Sequence, residues 1–167
     1  SGWGDAAVVC PYTVYKYSGD RRFLEEAYPM MKRWVGYIEN RAEDGVIWNS
    51  GYQYGDWLAL DAGSGGRFGK TPNDLTATAY YAHSVELVRR AAVILGKEKD
   101  AEKYSGLSER IKKSFRKKFY DENGCLKAGT QTAHVLALAF DLAGDEFRQR
   151  TIDDLEALID ESNGHST

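Results

Sequence analysis

Ala133-His134-Val135-Leu136-Ala137-Leu138-Ala139-Phe140 contains no charged residue. A helix without a polar face must be covered on both sides, whereas a helix with one apolar stripe is covered on one. Two further segments share this character, and together the three span about 6–18, 75–95 and 131–143. Each is followed by a segment of the other kind, at about 21–41, 100–119 and 146–161, with an apolar stripe and a charged back such as Lys112-Lys113 and Arg116-Lys117-Lys118. The stripe of the first runs through Leu24, Ala27, Met31, Trp34 and Ile38, and that of the second through Tyr104, Leu107, Ile111, Phe115 and Phe119. Inner helices alternating with outer ones predict an all-α chain of three αα-hairpins in a two-layer α/α toroid or solenoid.

The punctuation agrees. Gly19-Asp20 reads as a C-terminal glycine for one helix and an N-cap for the next, and the same signal recurs at Gly96 and Gly144-Asp145. Pro29 inside the second pattern predicts a kink or a late start. The hairpins are unevenly spaced, unlike repeat arrays with a period near ~34 residues. The largest insertion, about 42–74, carries Trp48, Tyr52, Tyr54 and Trp57 among glycines and acids. It predicts a short hairpin from Gly45 to Leu60 and then a flexible Gly63–Gly69 loop, the way loops at one end of a scaffold build a site.

Composition narrows the function. At 167 residues, 43% hydrophobic and 28% charged, the chain suits one water-soluble domain. A net charge of -3 gives no reason to expect nucleic acid or an acidic membrane surface as partner. No stretch approaches the ~20 apolar residues of a membrane span. Cys10 and Cys125 read as two lone thiols in a reducing compartment, which favours a cytoplasmic setting over a secreted one. The start, Ser1-Gly2-Trp3-Gly4-Asp5, is neither an initiator Met nor a signal peptide, so the expectation is a single incomplete domain, 1–167, of a longer protein.

Eleven Tyr and four Trp offer flat amphipathic surface suited to sugar faces as well as to cores. Glycoside hydrolysis needs two carboxylates, roughly 5–5.5 Å apart for retention and about 6.5–9.5 Å for inversion. Acids in loops beside aromatic rings are the candidates, because rings pack sugar C–H faces while carboxylates bind hydroxyls. Two clusters qualify: Trp3-Gly4-Asp5 and Tyr54-Gly55-Asp56-Trp57. Asp5 is also placed to cap the first helix, and Asp56-Trp57 also reads as a turn acid with a packed ring. Trp34 and Trp48 read as structural, and Glu25, Glu26, Asp153 and Asp154 as solvated charges. His83, His134 and His165 lack metal-ligand spacing, so neither metal nor cofactor is expected, and His134, on an inner helix, reads as a core imidazole ahead of a catalytic base. Gly63 to Thr71 ends in Gly-Lys-Thr but lacks the strand and helix of a phosphate loop.

Gly2-Trp3-Gly4-Asp5-Ala6, Tyr54-Gly55-Asp56-Trp57-Leu58, Thr76-Ala77-Thr78-Ala79-Tyr80-Tyr81 and Gln131-Thr132-Ala133, in this order, resemble the six-hairpin catalytic domain of bacterial α-L-rhamnosidases, glycoside hydrolase family 78. Gly164-His165-Ser166-Thr167 is similar to the start of that family's His-x-x-Thr-Gly-Phe segment. The resemblance implies about half of an (α/α)6 toroid and an inverting release of terminal α-L-rhamnose from rhamnose-containing glycosides. It places the general acid before the first of these motifs and the general base beyond the last, both outside 1–167. What it implies for this chain is supporting: Asp5 as a rhamnose-binding acid, Trp3 as its aromatic partner, Trp57 as a wall of the sugar subsite, and Asp56 as a hydroxyl ligand or a brace for Trp57. One departure stands: a single residue separates Trp3 from Asp5 where the commoner pattern has two. The readings set against this are another six-hairpin glycosidase and a non-catalytic helical scaffold for protein partners. Three hairpins cut from a ring of six also predict self-association through the exposed flanks.

Overall fold

The computed structural model describes residues 2–59, 61–62, 66–162 and 164. Among the described residues six helices form three hairpins: α1 Ala6–Ser18 with α2 Arg21–Glu39, α3 Asn73–Ile94 with α4 Glu98–Phe119, and α5 Gln131–Ala139 with α6 Gly144–Glu161. The inner helices α1, α3 and α5 lie side by side with α3 in the middle, and α2, α4 and α6 back them. No helix among the described residues is long and apolar enough to cross a membrane.

The caps explain most of the boundaries. Gly19 closes α1 at φ 71°, and Asp20 opens α2 by accepting a hydrogen bond from the Arg22 N–H. Gly96 closes α3 at φ 69°, with the Lys97 N–H returning to the Ala92 carbonyl at 2.8 Å. α2 starts on schedule and runs through Pro29, without a late start.

Three expectations are corrected. α5 ends at Ala139 rather than at 143, because Asp141 takes the left-handed conformation (φ 56°) and the Leu142 N–H closes onto the Ala137 carbonyl at 2.8 Å. A short polar side chain does there what glycine was expected to do three residues later. Gly144 and Asp145 then fall inside the first turn of α6. The hairpin expected from Gly45 to Leu60 is replaced by two smaller closures. Asp44-Gly45, both at positive φ, form a tight turn between Glu43 and Ile47. Further on, Trp57 pairs with Phe68: the Leu58 N–H donates to the Arg67 carbonyl (2.8 Å) and the Gly69 N–H to the Asp56 carbonyl (2.7 Å). Residues 67–69 therefore fold back onto residues 56–58; Leu60 and residues 63–65 lie outside the described residues.

Full coverage of the inner helices holds for α3, whose Leu75, Ala79, Tyr81, Val85 and Val88 are sealed. Along α1 only Val8 is buried, and Tyr17 stands 83% exposed. The flank between α1 and α2 is an open apolar groove of about 460 Å³ bordered by Cys10, Val14, Phe23 and Met30. Cys10 and Cys125 are both free thiols.

Candidate sugar-binding site

The three inner helices run parallel, with α1 shifted along α3. Thr71, just before α3, shares a 2.8 Å hydroxyl hydrogen bond with Thr130, the N-cap of α5, so those two helices begin together. Asp5, at the start of α1, instead reaches Ser84, halfway down α3. The step between the starts is roughly 16 Å at 1.5 Å per residue. The first three turns of α3 thus stand above the entrance of α1, and the insertion folds over that ledge.

Asp5 lies at the N-cap of α1, but its side chain caps nothing. One carboxylate oxygen accepts from the Trp34 indole N–H of α2 and from the Ser84 hydroxyl of α3, both at 2.9 Å. The other accepts from the Gly2 N–H at 2.7 Å. The carboxylate is 0% exposed and knots the entry segment to two helices. Gly4 is the residue this knot demands: a Cβ there would sit 2.2 Å from the Trp34 ring. The direct sugar contact expected of Asp5 would require one of the three donors to yield.

Trp3 leaves the knot outward, 76% exposed, and meets the insertion. Its ring centroid lies 5.8 Å from that of Tyr54, which lies 5.5 Å from Trp57, which lies 5.3 Å from Phe68. The two clusters singled out in the sequence, some fifty positions apart, therefore form one aromatic wall. Asp56, next to Trp57 in the chain, is half-buried. Its carboxylate accepts from the Thr71 hydroxyl at 2.8 Å, so Asp56, Thr71 and Thr130 link the insertion to α3 and α5. Gly55 sits at φ 59°, which favours glycine, and a Cβ there would lie 1.9 Å from the Asn73 side-chain oxygen, which would have to move. A cavity of about 180 Å³ opens beside Asp56, lined by Asp61, Lys70, Thr130 and Gln131.

The Thr76 to Tyr81 motif turns out to be the grip of α3 on this insertion. The Thr78 hydroxyl accepts from the Trp48 N–H (3.1 Å), and the Tyr81 hydroxyl donates to the Gly45 carbonyl (3.1 Å). Tyr80 faces the other way, one turn above Ser84 on the same side of α3. Its phenol is held above its ordinary pKa by burial first, then by the carboxylates of Asp5 and Asp56. Tyr80 thus senses both acids and stays a neutral hydrogen-bond donor. Below it, His83 stacks on Phe140 at 4.2 Å, its pKa lowered by burial and then by Arg90.

Trp34 and Trp48 are structural as read, though Trp34 also holds the site's acid. His134 is a core side chain, with Nδ1 2.8 Å from the Thr130 carbonyl oxygen. His165 lies outside the described residues. Ser84 escaped the sequence reading, and Thr71 and Tyr80 stood in quoted segments without a role of their own. A signal existed for Ser84: a hydroxyl in the middle of a helix buried all round needs a polar partner. Among the described residues, no group of three or more His, Cys, Asp or Glu side chains is placed to hold a metal ion.

Comparison with known proteins gives the chain its relatives. The model of the bacterial alpha-L-rhamnosidase 6 hairpin glycosidase domain matches residues 1–167. An alpha-L-rhamnosidase of an Alteromonas species is 42% identical over 147 residues, 85% of this chain and 16% of that protein. The crystal structure of Streptomyces avermitilis alpha-L-rhamnosidase complexed with L-rhamnose superposes with a TM-score of 0.86 at 39% identity, over 98% of this chain and 15% of the other. Alpha-L-rhamnosidase from Aspergillus terreus gives a TM-score of 0.89 at 30% identity, over 98% and 19%. The chain thus spans less than a fifth of each of these relatives.

Proposed function

We propose a function from one premise: this chain belongs to the bacterial alpha-L-rhamnosidase six-hairpin glycosidase family. Membership selects the glycosidase reading over the protein-binding scaffold. The chain supplies three of the ring's hairpins, and part of the sugar site, to a longer enzyme that releases terminal α-L-rhamnose from glycosides with inversion. The observation that carries this reading is the meeting of Trp3 and Trp57 through Tyr54, beside two carboxylates.

The residues divide the work by their surroundings. Trp3 and Trp57 pack the C–H faces of the sugar, Asp56 and the neutral Tyr80 hydroxyl serve its hydroxyl groups, and Asp5 positions the entry segment that carries Trp3. Neither Asp5 nor Asp56 is offered as the acid or base of hydrolysis. Inversion needs two carboxyl groups about 6.5–9.5 Å apart with a water between them, whereas Asp5 is sealed and Asp56 is engaged with Thr71. Those two groups come from parts of the enzyme outside 1–167, so the chain alone is inactive. Alone, it also self-associates through the open apolar flank of α1 and α2.

The test is Trp57→Ala in the full-length enzyme. Loss of a stacked ring lowers kcat/KM for an aryl α-L-rhamnoside by about tenfold or more, mainly through KM. Wild-type kinetics in that variant, or a full-length protein that hydrolyses other glycosides and leaves rhamnosides intact, would refute the reading.

A further inference from the structure

We infer that the aromatic wall continues into a second subsite, centred on Tyr52, that stacks the next pyranose ring of the substrate beyond the terminal sugar. The inference rests on the sugar-site reading above and extends it from one ring to two.

The insertion is built to present Tyr52. Residues 52–54 alternate in burial, with Tyr52 and Tyr54 exposed and Gln53 buried between them. Gln53 points inward and is buried, its amide donating to the Ser50 carbonyl at 3.1 Å. Tyr52 and Tyr54 consequently share the outward side. Both ends of the segment are pinned. The Ser50 hydroxyl donates to the Arg41 carbonyl (2.9 Å), and Gly55 is pressed against Asn73 at the start of α3.

Tyr52 has no part in the core. It is 72% exposed and rests edge-on against Tyr54, with centroids 5.2 Å apart and planes at 88°. Tyr54 is the hub, its ring meeting those of Trp3, Trp57 and Tyr52, so Tyr52 joins the wall through Tyr54. The proposed packing of the terminal sugar on Trp3 and Trp57 makes no use of Tyr52, whose aromatic partner among the described residues is Tyr54.

Ring orientation decides the occupant. Trp3 tilts 36° from Tyr54, while Tyr52 and Trp57 stand at 88° and 82° to it. A flat aryl group is best gripped between parallel rings, and Tyr54 forms no such parallel pair with Trp3, Tyr52 or Trp57. A stepped wall fits a chain of puckered pyranoses, each offering a C–H face to a differently tilted ring. The second subsite therefore takes a saccharide, and Tyr52 sets a preference for rhamnose carried on another sugar.

The experiment compares variant with wild type, substrate by substrate, in the full-length enzyme. The substrates are methyl α-L-rhamnoside, phenyl α-L-rhamnoside and a disaccharide of rhamnose on glucose, each followed by rhamnose release. Tyr52→Ala is expected to lower kcat/KM for the disaccharide about three- to tenfold, through KM, the size of one aromatic contact. Methyl α-L-rhamnoside should change by less than twofold, and Tyr52→Phe should retain the wild-type ratio. Equal ratios for all three substrates overturn the second subsite while leaving the rhamnosidase reading intact. A loss confined to phenyl α-L-rhamnoside overturns the saccharide assignment. A wild-type protein that releases no rhamnose from any of the three overturns the underlying reading and this one with it.

Discussion

Removing the carboxylate of Asp5 tests whether the entry segment is tied down as the geometry indicates. In Asp5→Ala the Trp34 indole N–H and the Ser84 hydroxyl lose their acceptor inside the protein, while the Gly2 N–H, at an exposed residue, turns to water. A stranded buried donor costs about 1–3 kcal/mol, and a bond to a charged group contributes about 1.5–3 kcal/mol. Ser84 recovers part of its share by rotating toward the carbonyl one turn back in α3. The net loss is therefore roughly 3–4 kcal/mol. For a chain of this length that lowers Tm by about 6–16 °C, at ~2–4 °C per kcal/mol. Asp5→Asn keeps one acceptor but turns an amide donor toward an existing donor, for a loss of about 1.5–3 kcal/mol. Ser84→Ala removes one donor and leaves the carboxylate with two, for about 1 kcal/mol. Urea unfolding followed by tryptophan emission reads all three, as shifts of the midpoint at constant slope. The order Ala at 5, Asn at 5, Ala at 84 is the expectation. An Asp5→Ala protein within 0.5 kcal/mol of wild type, or Ser84→Ala costing more than Asp5→Ala, would refute the knot.

Gly55→Ala places a methyl group against the Asn73 side chain at a backbone angle that L-residues avoid. It should destabilise the insertion by about 1–3 kcal/mol and disturb Trp57 emission, and an unchanged protein would count against the close approach. Stability should fall as pH drops below ~6.5, because the lowered pKa of His83 means that the unfolded chain takes up the proton first. His83→Gln should flatten that limb of the profile; an identical slope would remove His83 as its source. The isolated chain should show a concentration-dependent mass in light scattering, reduced by Phe23→Lys on the open flank, whereas a monomer at every concentration would contradict self-association.

Local pattern alone determined the six helices and their inner and outer classes. Hydrophobic periodicity reports how many sides of a helix are covered, and Gly19, Asp20 and Gly96 carry their capping chemistry in their own backbone preferences. Glycine spacing and aromatic content also marked the two loop clusters that matter. Where α5 ends was not legible, because Asp141 in the left-handed region carries no signal distinct from an ordinary acid. Nor was the closure of the insertion, since the pairing of Trp57 with Phe68 spans a gap that no local turn rule covers. Only the tertiary structure decided what the acids do. Asp5 and Asp56 look alike in sequence, each an acid after glycine beside a tryptophan. Packing gave Asp5 three donors from three elements and sealed it, while Asp56 stayed half-buried with the Thr71 hydroxyl as donor. A carboxylate's role is set by the donors and the water around it, and those come from residues up to 79 positions away.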